Sequence, residues 1–123
     1  MTDKELLTLA AKAAGIIIDK STTNGGGARN TGFNMLGDAI LDWHNNKRWN
    51  PLTDDGDALR LAVKLRVDLR FEQELAGWDV EAGSCGENCK PDSYAATRRA
   101  IVRAAAEIGK TAMKATLLQS LGE

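Results

Sequence analysis

The chain carries one histidine, His44, and only two cysteines in 123 residues. A single imidazole excludes centres that need several. It also leaves the serines and cysteines without a base legible from spacing. Zinc takes about four ligands, and Cys85 and Cys89 have no histidine near them in sequence. Spaced Cys-x-x-x-Cys in a Gly-rich stretch, they read as free thiols, with a redox disulfide as the alternative. No run approaches the roughly 20 apolar residues that span a bilayer. The opening MTDKELL is acidic and helical, unlike a secretion signal, so the expected location is cytoplasmic. A net charge of −1 argues against a nucleic-acid or membrane-surface partner, since both favour basic proteins. No cofactor and no metal are expected.

What is present is a packing plan. Hydrophobic residues make up 43%, too many for a disordered chain of low net charge. The length suits one domain, residues 1–123, able to bury a core without staples. Thr2 and Glu5 form a capping-box pattern. Leu6, Leu7, Leu9, Ala10, Ala13 and Ala14 then share a helical face, which Gly15 ends. Ile16, Ile17 and Ile18 predict a short buried strand. Residues 21–32 (STTNGGGARNTG) predict a Gly-rich loop.

Between Phe33 and Leu52 two strands are expected around an Asn45-Asn46 turn. Pro51 closes the second, because proline donates nothing to a ladder. Thr53 is the expected cap of a second helix, with Asp54, Asp55 and Asp57 in its first turn. Its apolar arc is Ala58, Leu59, Leu61, Ala62, Val63 and Leu65. Val67, Leu69 and Phe71 alternate with Asp68, Arg70 and Glu72, the pattern of a strand with one wet face. Trp78 and Val80 continue it as a hairpin. Residues 82–90 predict a loop. Asp92 or Ser93 caps a last helix, with residues 110–123 as its C-terminal helical extension. These elements predict an α+β fold, a small antiparallel sheet packed with three helices in the order α-β-β(-β)-α-β-β-α.

Several motifs resolve into structural readings. Ala104-x-x-x-x-Gly109-Lys110-Thr111 matches a relaxed phosphate-loop pattern, but the AIVRAAAEI before it is helical. Helical N–H groups are already bonded and cannot wrap phosphate. The Gly25-Gly26-Gly27 loop lacks the G-x-G-x-x-G spacing. Asp54, Asp55 and Asp57 do not match a calcium loop, and capping accounts for them. Arg99, Arg103, Lys110 and Lys114 form a stripe that Glu107 partly neutralises. Trp43, Trp49 and Trp78 read first as core or half-buried side chains. The candidate partner- or ligand-binding residues are therefore Trp49, Asn50, Gly26, Arg29, Arg98, Arg99 and Arg103, with none assigned to catalysis.

Three segments taken together resemble a known family. They are Leu6-x-x-x-Ala10 to Gly15; Trp49-Asn50-Pro51-Leu52 followed by Asp54-Asp55-Gly56-Asp57-Ala58; and the run from Asp92-Ser93-Tyr94 through Ala95-Ala96-Thr97-Arg98-Arg99-Ala100 to Gly109. They resemble the phage ABA sandwich domain family, small proteins of bacteriophages and prophages, over about residues 3–110. The resemblance implies an α/β/α-type sandwich, a phage or prophage origin and a place in the host bacterial cell. It implies no activity. The Gly-rich loop and the tail after Gly109 look like additions to the family pattern.

The expected function is that of a non-enzymatic phage accessory protein of unknown biochemical activity, acting by binding a host or phage macromolecule. The alternative is binding or sequestering of a small, nucleotide-like ligand. A homodimer is a further expectation for so small a domain.

Overall fold

Helix α1 (Asp3–Ala14) starts where the capping pattern places it. The Thr2 hydroxyl accepts from the Glu5 N–H at 3.2 Å. At the other end Gly15 turns left-handed with φ 76°, a conformation glycine adopts without strain. Ile16 then donates its N–H to the Ala11 carbonyl, so it closes the helix cap and is not the first residue of a strand. The computed structural model describes residues 2–16, 32–33, 39–42, 47–75 and 77–121. Ile17 and Ile18 lie outside them, as do Trp43, His44 and the Asn45-Asn46 turn.

Two antiparallel sheets of three strands each are described. The first joins β1 (Gly32–Phe33), β2 (Ala39–Asp42) and β3 (Lys47–Trp49), with Ala39 opposite Trp49. The second joins β4 (Leu69–Glu74), β5 (Gly77–Ala82) and β6 (Cys85–Asn88), in that order. With α2 (Asp55–Leu65) and α3 (Ser93–Leu121), the architecture is α+β, as the alternation and helical periods predict. The last helix runs unbroken through Gly109.

β6 falls in the segment expected to be a loop. Its Gly and Asn content hides a register that only pairing reveals: Val80 opposes Glu87 and Ala82 opposes Cys85. Cys85 and Cys89 are buried free thiols. An extended chain sets residues four apart at roughly 13 Å, beyond the reach of a disulfide.

The cap of α2 also differs from the expectation. Asp54, not Thr53, accepts from the Asp57 N–H, at 2.8 Å. Thr53 and Asp54 both donate their N–H groups to the Asn50 carbonyl, so a turn places Asp54 at the helix entrance. The Asn50 N–H in turn donates to Asp57 Oδ2 at 3.0 Å, and Asn50 Oδ1 accepts from Leu52 N–H. The acidic cluster and the Trp49-Asn50-Pro51-Leu52 segment are one hydrogen-bonded corner.

The core is small-residue rich. α1 buries Leu6, Leu7, Ala10, Ala11 and Ala14, and α3 buries Ala100 to Val102 and Ala104 to Ala106. α1 against α3 is the largest contact between elements. Val80, Ala82 and Cys85 close the core from the second sheet, and Ala39 and Trp49 from the first.

Candidate functional site

The site is built from apolar side chains that the core does not take up. On α2, Ala58, Leu61 and Ala62 are buried. Leu59 and Val63 belong to the same predicted arc, yet they are 61% and 67% exposed. The arc is wider than the stripe that α1 and α3 can cover, and the excess faces water.

β4 shows the same surplus. Opposite residues in the hairpin share a face, so Leu69, Phe71 and Gln73 project with Ala82, Val80 and Trp78. α3 covers the β5 and β6 part of that face. Val80 and Ala82 are fully buried, whereas Phe71 is 52% exposed and Trp78 50%. β4 is an edge strand that overhangs the helix. The expected core face is therefore half wet at Phe71.

Of these side chains, Leu59, Leu69 and Phe71 line a groove of about 500 Å³ between α2, β4 and α3. Ala58, Leu59, Leu69, Phe71, Tyr94 and Ile101 form its walls. Tyr94 is 72% exposed at its mouth. Ser93, Thr97 and an Arg98–Asp55 ion pair of 2.6 Å supply a polar rim. Large apolar groups at a rimmed concavity are the usual marks of a docking surface.

Two other clefts are less suited. One of about 820 Å³ lies between the end of α2, the Gly83 turn and α3, with Arg66, Asp68 and Glu107 among its lining. Ile108 is its one exposed large apolar side chain. Another, of about 430 Å³, has Trp49, Arg48, Arg60 and Lys64 around it, together with Asp57. Its basic look is deceptive at Arg60, which bonds Asp57 at 2.7 Å and lies near Asp54.

The candidate residues from the sequence separate widely. Trp49 is 6% exposed and belongs to the core. Asn50 organises the corner described above. Gly26 and Arg29 lie outside the described residues. Arg98 donates to the Leu52 carbonyl and to Asp55. Arg99 pairs with Asp3 and Glu87, and Arg103 with Glu87 and the Gly86 carbonyl. The three arginines latch α3 to the α2 corner, to α1 and to β6. Of the candidates among the described residues, only Arg98 lines the groove. Among the described residues, no group of three or more His, Cys, Asp or Glu side chains is placed to hold a metal ion.

On the outer face of the second sheet, Arg70 bonds Glu81 at 2.7 Å and also Asp68. The hydrogen bond that Arg70 donates to Glu81, then the one it donates to Asp68, raises the guanidinium pKa further above its already high ordinary value. Arg70 is thus a fixed positive charge among Glu72, Asp79 and Glu81.

These features define an α+β protein with an apolar, polar-rimmed groove between α2, β4 and α3. No family model matches the chain, and no curated protein or solved structure gives a significant match. No helix among the described residues is long and apolar enough to cross a membrane.

Proposed function

We propose that the protein is a non-enzymatic accessory protein that works by binding a macromolecule, with the α2–β4–α3 groove as its contact surface. The observation that carries this reading is the convergence of Leu59, Phe71 and Tyr94, each more than half exposed, on one rimmed groove. Burying a Leu or Phe side chain contributes about 1.5–3 kcal/mol, so three such anchors suffice for a specific contact. The resemblance to the phage ABA sandwich family supports a phage or prophage setting. There the partner is a host or phage protein in the cytoplasm of the bacterial cell.

The reading predicts a separation of folding from binding. Leu59→Glu and Tyr94→Glu alter exposed positions and are expected to change stability by about 0.5 kcal/mol or less. Each is expected to abolish retention of a bacterial protein that the wild-type chain captures from lysate. Capture that both variants retain would remove the groove from consideration.

The small-ligand alternative draws on the cleft beside Trp49. Its cations face Asp54 and Asp57, which disfavour a phosphate. Nucleotides are therefore expected to leave the melting temperature unchanged. A ligand present at 100 times its Kd adds about 2.7 kcal/mol to the folded state. A rise of several degrees with any nucleotide would reverse the preference.

A further inference from the structure

The outer edge of β4 carries a pattern that fits a second copy of itself. The Asp68 carbonyl accepts from the Gly83 N–H at 2.8 Å, in register with the β4–β5 ladder. Antiparallel ladders alternate, so the even-numbered residues of β4 bond β5. The N–H and C=O groups of Leu69, Phe71 and Gln73 therefore point outward. β4 is six residues long, its residues 70 to 74 are all exposed, and its one extensive contact is with β5. Such an edge is a template for another strand.

The charges along β4 choose the strand. Consider two copies related by a two-fold axis, antiparallel, with Phe71 opposite the partner's Phe71. Leu69 then faces the partner's Gln73, and every outward N–H and C=O of these residues is bonded. On the other face Arg70 meets the partner's Glu72, and Glu72 meets the partner's Arg70. Asp68 and the partner's Glu74 meet only at the wet ends, where Asp68 is already paired with Arg70. Sliding the register by one residue in each copy sets either Arg70 against Arg70, or Glu72 against Glu72 with Arg70 facing the partner's Glu74, so each alternative places one like-charge pair on the two-fold axis. All three registers keep the apolar faces together, and only the Phe71–Phe71 register puts no like-charge pair on the axis. It carries Leu75, which is fully exposed, towards the partner's Val67.

Within one copy, Glu72 stands directly opposite Asp79. Like charges in that position are unfavourable, and among the described residues Glu72 makes no ion pair, since Arg70 is taken by Glu81 and Asp68. A facing Arg70 from a second copy supplies one.

The geometry points to a two-fold homodimer formed by antiparallel pairing of the β4 edges in the Phe71–Phe71 register. The result is a continuous six-stranded sheet, with the two grooves side by side across the axis. This holds whether or not the groove takes a further partner.

Sedimentation equilibrium on the full chain tests it, with two variants outside the groove. In Glu72→Arg the new side chain faces Asp79 within the copy and Arg70 across the axis. It is expected to keep or raise the melting temperature of the monomer and to weaken the dimer at least about tenfold. Gln73→Pro deletes an outward N–H without touching the β4–β5 ladder, and is expected to weaken the dimer similarly. Should the proline variant fold poorly by circular dichroism, Glu72→Arg alone decides. A wild-type chain that stays monomeric up to about 1 mM, or a dimer that Glu72→Arg leaves at wild-type affinity, overturns the proposal. So does a dimer that a folded Gln73→Pro leaves intact, because strand pairing requires that N–H.

Discussion

Gly109→Ala is expected to destabilise the protein by about 3 kcal/mol, although alanine is the better helix former. Gly109 lies buried within α3, where it faces α1. Taken alone, the substitution gains about 1 kcal/mol of helix propensity. A Cβ at Gly109, however, would overlap the backbone carbonyl of Leu9 and crowd the Ala13 nitrogen. A flexible side chain could step aside, but a carbonyl inside a helix cannot. The two helices must part, and the close packing of Ala10, Ala11 and Ala14 against the alanines of α3 loosens with them.

Overpacking of this kind costs about 1–3 kcal/mol, occasionally more, and here the obstacle is backbone. That is a large share of the roughly 5–15 kcal/mol available to a domain. The melting temperature should fall by on the order of 10 °C. Urea denaturation followed by far-ultraviolet circular dichroism measures it, with Lys110→Ala, an exposed neighbour, as the control. If Gly109→Ala instead stabilises by the propensity gain, the α1–α3 contact at Leu9 is not as described. The glycine that completes a phosphate-loop pattern in the sequence therefore has a packing reason to be there.

That example shows which features the sequence made legible. Periodic signals worked wherever the cause was local. Thr2, Glu5 and Gly15 mark the ends of α1 because capping acts within four residues of the helix end. The Leu69–Phe71 alternation located a strand because pleating acts every two residues. Partners distant in sequence were not legible. β6 reads as a loop until Val80 and Ala82 supply its register. Leu59 and Val63 read as core because periodicity reports a face and not whether anything covers it. The stripe of Arg99, Arg103, Lys110 and Lys114 showed in the sequence only Glu107 as a neutralising neighbour. It is partly consumed by Asp3, Glu87 and the Gly86 carbonyl, which lie up to 96 positions away. The groove was invisible for the same reason, since α2, β4 and α3 each contribute a wall.

Trp49→Ala is expected to cost about 3–5 kcal/mol, the range for emptying a buried aromatic site. The sequence offered Trp49 as an interface anchor, and an anchor would be exposed. Instead its ring is buried at the end of β3, opposite the fully buried Ala39, and the adjoining cleft brings it beside Ala14, Ile16 and Leu61. Trp49 thus ties the first sheet to α1 and α2. The next residue, Asn50, donates its N–H to Asp57, so a cavity at Trp49 loosens the corner that positions the α2 cap. Phenylalanine at this position keeps much of the apolar contact and is expected to recover most of the stability. Denaturant titrations of Trp49→Ala and Trp49→Phe distinguish the two roles. A core residue gives a graded loss of stability, smaller for phenylalanine than for alanine. An interface anchor leaves both titrations at the wild-type midpoint and removes only partner capture, and that result would return Trp49 from the core to the contact surface.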